Sequence, residues 1–229
     1  KLHTITLYSL VVRNLKSVIA AGGLGTRLQN FRGNQSTKIL LEVDGIPMIN
    51  RQITQLCDWG CKDFIIITNP DFGDLIKKVT TEAFPGLNLK FATQDEPKGI
   101  SHALKQAEFH VDKDEKILFI LGDNFFENNP IIDFDFSQFE KGSYIFTKSV
   151  DNPEEFGVAQ MDNNGNVISI DEKPIAPKSD LAVVGIYIFD ETVFEKINTL
   201  SPSLRGEYEI TDLCNIYVKE NTCKNFLID

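Results

Sequence analysis

Residues 18–28 read VIAAGGLGTRL, an apolar run that breaks into a glycine-rich turn ending in a threonine and an arginine. Glycines let the backbone turn tightly and approach a phosphate closely, so that backbone N–H groups and Arg27 can converge on an anion. The stretch therefore predicts a buried strand followed by a phosphate-binding turn. An ordinary strand-to-helix turn is the alternative interpretation, because short motifs of this kind also occur without a ligand.

Two well-known phosphate-binding motifs do not match this turn. A dinucleotide-binding fingerprint needs a third glycine where this chain has Leu28. A P-loop needs Gly-Lys-Ser/Thr where this chain has Gly25, Thr26 and Arg27. The sequence therefore favours neither a dehydrogenase nor a P-loop kinase.

The composition is that of a globular domain. The chain has 229 residues, of which 42% are hydrophobic and 24% charged, and we interpret it as one domain at 16–229 after an extension at 1–15.

The net charge of -10 argues against nonspecific binding to nucleic acid or acidic membranes. No apolar run approaches the ~20 residues of a membrane span. The four cysteines lack paired C-x-x-C spacing, which favours reduced thiols and a cytoplasmic location. The three histidines are too scattered to predict a metal site or a catalytic triad.

Strand and helix patterns alternate in the first part of the chain. Short, almost unbroken apolar runs predict buried strands at 17–21, 64–68, 116–121 and 143–147. Between them, helical periodicity predicts helices at 48–60, 71–84 and 101–109, with Asp71 and Ser101 as caps. This order predicts an α/β fold with a doubly wound, mostly parallel, Rossmann-like sheet.

The second part of the chain has a different pattern. Residues 157–161 and 167–170 flank an Asn-Asn-Gly-Asn turn and predict a hairpin, which a strand at 181–189 and a helix at 190–198 follow. We expect these segments to add an antiparallel region that covers one end of the sheet.

Polar residues follow several of the predicted strands, where ligands bind in such sheets. Asp123 comes after the run 117–121 and could hold Mg²⁺ against phosphate oxygens, or merely cap a turn. Lys173 precedes a proline and could meet a phosphate, or be a solvated surface lysine. Gln94 opens the loop QDEPKG and carries an amide suited to reading a base edge, or simply lies in a polar loop. The acids of the segment 205–209 could bind sugar hydroxyls or favour the start of the following helix.

The order of these motifs resembles the sugar-1-phosphate nucleotidyltransferase family, and most closely its glucose-1-phosphate thymidylyltransferase branch. The motifs are GGLGTRL (22–28), STKILLEVDGIPMI (36–49), GDN (122–124), EEFGVAQMD (154–162), DEKP (171–174), VVGIYIFD (183–190) and RGEYEITD (205–212), together with Gln94, Pro97 and Gly99. The likeness extends from residue 16 to about residue 220. It implies a nucleotide-binding half at about 16–125 and a sugar-binding half at about 126–229.

The resemblance implies a reaction and a set of site residues. An oxygen of a sugar-1-phosphate, with glucose-1-phosphate favoured, attacks the α-phosphorus of dTTP or UTP, and pyrophosphate leaves with Mg²⁺ as cofactor. The implied catalytic residues are Arg27, Lys38, Asp123 and Lys173, with Asp123 also the metal ligand. The implied nucleotide-binding residues are Ala21, Gly22, Gly23, Gly25, Thr26, Gln94, Gly99 and Gly122. The implied sugar-binding residues are Asn124, Gly157, Glu172, Val183 and Tyr187.

Two other functions stay open. Family members usually continue into a tryptophan-x-aspartate-x-glycine-threonine segment whose aspartate is a second metal ligand, and the sequence ends at Asp229. A noncatalytic nucleotide-sugar-binding regulatory or partner subunit is therefore one alternative. A guanylyl- or cytidylyltransferase of the same family is another. The expected partners are the nucleoside triphosphate and the sugar-1-phosphate, without nucleic acid or membrane, and a homo-oligomer is compatible with the sequence.

Overall fold

The computed structural model describes residues 15–23 and 37–228. Gly25, Thr26 and Arg27, and almost all of the predicted extension at 1–15, lie outside the described residues. The described strands are β1 (Leu15–Ala20), β2 (Glu42–Val43), β3 (Ile46–Pro47), β4 (Asp63–Thr68), β5 (Asn88–Thr93), β6 (Lys116–Leu121), β7 (Ser143–Ser149), β8 (Gly157–Met161), β9 (Val167–Glu172), β10 (Leu181–Phe189) and β11 (Cys223–Leu227). The α-helices are α1 (Met48–Asp58), α2 (Gly73–Ala83), α3 (Ile100–Lys105), α4 (Val193–Ile197) and α5 (Ile210–Lys219). Short 3-10 helices are formed by Lys38–Leu40, Glu108–His110, Phe136–Gln138 and Pro153–Glu155.

The first strand lies in the interior of the main sheet, whose order is β11-β7-β10-β6-β1-β4-β5. β1 pairs in parallel with β4 on one side and with β6 on the other. β10 is antiparallel to both β6 and β7, and β8 and β9 form the predicted hairpin beside β10. The predicted mostly parallel sheet with an added antiparallel region is confirmed.

Alternate residues of the buried strands face two separate cores, as the two-residue period of a strand requires. Val18 belongs to the core covered by α3, α4 and α5, whereas the next residue, Ile19, belongs to the core covered by α1 and α2. Helices therefore cover both faces of the sheet, and the doubly wound architecture is confirmed. No helix of the described chain is long and apolar enough to cross a bilayer.

Two predicted helix starts were wrong. The second helix begins at Gly73 instead of residue 71, and the side chain of Asn69, not Asp71, accepts the backbone N–H of Phe72 at 3.0 Å. The third helix begins one residue before Ser101, whose hydroxyl donates to the backbone oxygen of Glu209 at 2.9 Å. Ser101 thus joins distant segments instead of capping its own helix.

The predicted helix at 190–198 is shorter than expected because Asp190 has another role. Its buried carboxylate accepts the backbone N–H groups of Gly142 at 2.6 Å and Thr192 at 3.0 Å, and the hydroxyl of Tyr217 at 2.9 Å. The helix itself begins at Val193. Asp190 therefore connects β7, β10, α4 and α5 at one end of the sheet.

Replacing Tyr217 by phenylalanine should lower the free energy of unfolding by about 1.5–3 kcal/mol, because it removes one donor to a buried carboxylate. Urea denaturation measures the change. Tyr144→Phe is the matched control, since the Tyr144 hydroxyl forms no hydrogen bond among the described residues, and it should change stability by about 0.5 kcal/mol or less. Equal effects of the two substitutions would contradict the assigned role of Asp190.

Candidate active site

Ala21 and Gly22, which follow β1, lie in close contact with the end of the neighbouring strand β4. The backbone N–H of Ala21 still donates to Ile67 at 2.8 Å, and the side chain of Asn69 donates to the backbone oxygen of Gly22 at 2.9 Å. A Cβ atom at Gly22 would lie 3.0 Å from the backbone oxygen of Thr68. The close approach of the two strand ends therefore favours glycine at this position.

Asp123 and Lys38, which lie 85 residues apart in the sequence, form an ion pair at the next strand end. The backbone N–H of Gly122 donates to Ala20 at 3.0 Å and fixes the end of β6 beside β1. A Cβ atom at Gly122 would lie 2.8 Å from the Ile39 side chain. From this turn, Asp123 Oδ2 lies 2.7 Å from Lys38 Nζ, with the two side chains 41% and 34% exposed. Both charged groups therefore remain accessible to a ligand.

A cleft of about 310 Å³ lies along these strand ends. The predicted residues that line it are Ala21, Gly22, Gly23, Lys38, Gln94, Gly99 and Asp123. The structure thus brings together most of the predicted nucleotide-binding residues that it describes. Glu207 also lines the cleft and was missed as a site residue, although it belongs to the charged segment 205–209.

The loop that begins at Gln94 is held against the segment before α5. Gly99 has a φ of 101°, and a Cβ atom there would lie 2.7 Å from the backbone oxygen of Tyr208. The backbone N–H of Tyr208 donates to Lys98 at 2.8 Å. Glycine is needed at residue 99 both for the positive φ and for this close approach.

The predicted sugar-binding residues Gly157 and Glu172 face each other across the hairpin of β8 and β9. Burial raises the pKa of Glu172, and the nearby carboxylate of Glu209 raises it further. Lys173 Nζ lies 3.9 Å from Glu172 Oε1, and Arg205 Nη1 lies 3.6 Å from the same oxygen. Arg205 was not predicted as a site residue, although its side chain also reaches both acids of its own segment.

Lys173 has an unusual backbone conformation. Its φ is 43°, in the left-handed region that side chains other than glycine rarely adopt, and Pro174 restricts it further. Its backbone N–H donates to Phe156 at 2.9 Å, which holds this geometry in place. Such strain persists only where the surroundings enforce it, and it is concentrated at functional sites.

The remaining predicted sugar-binding residues, Asn124, Val183 and Tyr187, are not part of the charged group around Glu172. Asn124 and Val183 line a second cavity of about 560 Å³, which shares Leu121 and Asp123 with the first cleft. The side-chain amide of Asn124 donates to the backbone oxygen of Val184 at 2.7 Å, so it also ties β6 to β10. Tyr187 lines neither cavity: it is 3% exposed and stacks on Phe189, and burial raises its pKa well above the ordinary tyrosine value.

The described residues contain no group of three or more His, Cys, Asp or Glu side chains that could hold a metal ion. Asp123 is therefore a single carboxylate at the junction of the two cavities. Mg²⁺ at nucleotide sites is commonly held by one or two carboxylates together with substrate phosphates. The donor set fits an ion that shares its coordination with a bound nucleotide.

Comparisons with known proteins agree on one family. The nucleotidyl transferase family model matches residues 16–228. Glucose-1-phosphate thymidylyltransferase of Mycolicibacterium smegmatis is 36% identical over 207 residues, which are 89% of this chain and 71% of that protein. The enzyme of the same name from Neisseria meningitidis serogroup A is 36% identical over 216 residues, 91% of this chain and 73% of that protein. A Bacillus anthracis crystal structure with sucrose, described as a glucose-1-phosphate thymidylyltransferase, is 37% identical with a TM-score of 0.83, covering 94% of this chain and 87% of that chain.

Proposed function

We propose that this chain, which belongs to the nucleotidyl transferase family, transfers the nucleotidyl group of a nucleoside triphosphate to a sugar-1-phosphate and releases pyrophosphate. The name that its relatives share makes dTTP the favoured nucleotide and glucose-1-phosphate the favoured sugar, with UTP as the second nucleotide. A noncatalytic binding subunit and a guanylyl- or cytidylyltransferase are not favoured, because the relatives are named as thymidylyltransferases over most of this chain.

The observation that carries the proposal is the position of the Lys38–Asp123 pair. After β1 the chain builds the sheet outward through β4 and β5, and then returns to the other side of β1 with β6. Ligands of open α/β sheets bind in the crevice at such a reversal of strand order. Gly22 and Gly23 after β1 and the ion pair beside β6 both line this crevice.

The reaction needs no nucleophile from the protein. A phosphate oxygen of the sugar-1-phosphate forms a bond to the α-phosphorus, and the bond from that phosphorus to the bridging oxygen of pyrophosphate breaks. The protein's contribution is to position the two phosphates in line and to balance their charge. In our proposal Lys38 and Arg27 neutralise the triphosphate, and Lys173 orients the sugar phosphate.

We assign Mg²⁺ as the cofactor, with Asp123 as its protein ligand. The ion supplies charge stabilisation at the α-phosphate when it is bound. Asp123 suits this role because its carboxylate is accessible and already lies against a cation, Lys38. A bound nucleotide would supply the further oxygen ligands.

We assign the base to the first cleft and the sugar phosphate to the charged group around Glu172, which lines neither of the two cavities. The first cleft combines apolar residues such as Ile100 and Leu121 with the amide of Gln94, which suits a base. The acids and cations around Glu172 suit sugar hydroxyls and a phosphate. We therefore place the nucleotide in the half at about 16–125, with Gly99 and Gly122 shaping its site, and the hexose in the half at about 126–229, beside Gly157 and Val183. Tyr187 lies on the same strand as Val183 but is buried in the core, so we assign it a supporting position and no contact with the sugar.

We further propose a cytoplasmic location and no nucleic-acid or membrane partner. The four cysteines are free thiols, which fits a reducing compartment. The net charge of -10 disfavours nonspecific attraction to nucleic acid and to acidic membranes. A homo-oligomer is compatible with the proposal and is measured directly by light scattering.

Pyrophosphate release tests the proposed function. The purified chain is assayed with Mg²⁺ and glucose-1-phosphate, and dTTP, UTP, CTP and GTP are supplied in turn. We expect the highest kcat/KM with dTTP, UTP second, and CTP and GTP lower by at least about 10-fold, since a pocket built to hydrogen-bond one base edge discriminates strongly against another. Nucleotide binding without pyrophosphate release from any of the four would favour the noncatalytic alternative instead.

A further inference from the structure

His102 contacts the residue to which we assign base reading, although its sequence context predicted no functional role. It lies on α3, and its Nδ1 atom is 3.0 Å from Nε2 of Gln94. Its ring stacks on Tyr208 with centroids 6.1 Å apart. An inference about His102 therefore rests on the proposed function, in which Gln94 reads the base. It adds that His102 orients the side-chain amide of Gln94.

The hydrogen bonds of Gln94 determine which way its amide faces. Nε2 lies 3.0 Å from the backbone oxygen of Gly99, which can only accept, so the atom facing Gly99 must be the donating nitrogen. The second hydrogen of Nε2 then points to Nδ1 of His102. With both hydrogens engaged, Oε1 is the amide atom available to a ligand in the cleft.

These hydrogen bonds also determine the protonation state and the tautomer of the His102 ring. Nδ1 can accept only if it carries no proton, so the neutral ring must carry its proton on Nε2. Gln106 donates to the backbone oxygen of His102 at 3.0 Å and approaches the ring Nε2 only at 3.5 Å. One neutral imidazole has a single acceptor, and the shorter contact with Gln94 uses it.

We propose that His102 is a positioning residue that holds the Gln94 amide with its oxygen toward the base, so that protonation of His102 weakens nucleotide binding. A protonated ring would donate from Nδ1 and could pair with Gln94 only after the amide turned over. Gly99 would then lose its donor, and the amide would present Nε2 to the base. A thymine or uracil ring, which offers its N3–H, would meet a donor where it needs an acceptor.

The surroundings of His102 favour the neutral ring near pH 7. Burial lowers its pKa, and Lys98 lowers it further, whereas the carboxylate of Glu96, a hydrogen bond to the Glu96 backbone and the carboxylate of Asp95 raise it by less. His102 also lines a small cavity between α3 and α4. Lys105 on the same helix lines this cavity and pairs with Glu108, and Tyr208 stacks on the His102 ring. The residues that the α4 side contributes, Ile197 and Asn198, do not titrate. Because the pKa lies below the ordinary histidine value of about 6.5, the effect of protonation should appear only in acid.

Two substitutions of His102 separate the effect of its acceptor nitrogen, Nδ1, from the effect of the charge on a protonated ring. Asparagine can offer an acceptor near the position of Nδ1 but cannot be protonated, whereas phenylalanine keeps the ring on Tyr208 and offers no acceptor. We expect His102→Phe to raise the Kd and KM for dTTP by about 2- to 10-fold at about pH 7.5, with kcat changed by less than about twofold. We expect His102→Asn to bind like the wild type at that pH.

The pH dependence is the decisive readout. Between about pH 7.5 and about pH 5, calorimetric binding of dTTP should weaken about 2- to 10-fold more in the wild type than in His102→Asn, a comparison that cancels titration of the nucleotide itself. His110→Gln, a histidine replacement in the 3-10 helix that follows α3, should keep the wild-type pH dependence, because His110 contacts the backbone oxygen of Phe91 and not Gln94. Identical pH dependence in the wild type and His102→Asn would overturn the proposal.

The imidazole ¹⁵N spectrum of the ligand-free protein provides a second test that needs no nucleotide. The resonance lost in His102→Asn should show an unprotonated Nδ1 and a protonated Nε2 near neutral pH. A proton on Nδ1 would overturn the role of His102 whatever the enzyme does. If instead the binding and ¹⁵N results agree with expectation but no nucleotide releases pyrophosphate, the proposed function fails and the role of His102 stands.

Discussion

Replacing Asp123 by asparagine is expected to lower kcat for pyrophosphate release by about 10²–10³-fold, with little change in fold. The substitution keeps the size of the side chain and removes the only carboxylate that, among the described residues, lines both cavities of the proposed site. Loss of a charged group that stabilises a phosphoryl transition state costs several kcal/mol, which corresponds to this change in rate. The Lys38 ion pair is lost as well, but a pair this exposed contributes about 1 kcal/mol or less to stability.

The measurement is steady-state pyrophosphate release at saturating dTTP and glucose-1-phosphate over a range of Mg²⁺ concentrations. Asp133→Asn is the matched control, since it makes the same change at an exposed carboxylate in the following loop. In thermal unfolding, the Tm of both variants should lie within a few degrees of the wild-type Tm. A kcat for Asp123→Asn within about threefold of the wild type would remove Asp123 from the catalytic machinery.

The second large effect is expected at Lys173. Lys173→Met should lower kcat by about 10²–10³-fold, because it removes the cation that we assign to the sugar phosphate while it keeps an unbranched apolar stem of similar length. Its strained φ of 43° is set by the backbone contact to Phe156, which methionine leaves intact. The amine lies 3.9 Å from Glu172 in a partly exposed position, so the loss of that contact should change stability little.

Lys178→Met is the control for this substitution, because it lies on the exposed segment after the same strand. We expect it to keep wild-type kcat and KM. Variation of both substrates separates the possible roles of Lys173. A rise in the KM for glucose-1-phosphate alone, with kcat unchanged, would show that the lysine contributes uniform binding and no charge stabilisation in the transition state.

Much of the fold could be predicted from local patterns because its central strands are buried on both faces. β6 and β10 have the predicted bounds, since apolar residues run through them almost without a break. β5 and β11 were missed because they lie at the two edges of the sheet, where β5 has no fully buried residue and β11 has only Cys223. Edge strands carry fewer apolar residues, so their pattern is weaker.

Candidate site residues could be predicted where they belong to a sequence motif. They could not be predicted where their role depends on contacts between distant segments. Lys38 and Asp123 were identified from motifs, and the fold brings their side chains into an ion pair that the motifs did not predict. The role assigned to His102 depends on a contact between a loop and a helix and on a ring stacked from a distant segment. Ser101 likewise has a partner 108 residues away. No local periodicity reports such contacts.

The strand order also constrains how the chain can fold as it is synthesised. β10 lies between β6 and β7, although both precede it in the chain. Until β10 emerges, β6 and β7 each expose a pairing edge along a run of buried apolar residues, such as Phe119 and Ile145. Open edges of this kind promote association between chains. Nascent or truncated chains that stop before Leu181 should therefore aggregate, and soluble fragments require boundaries beyond Phe189.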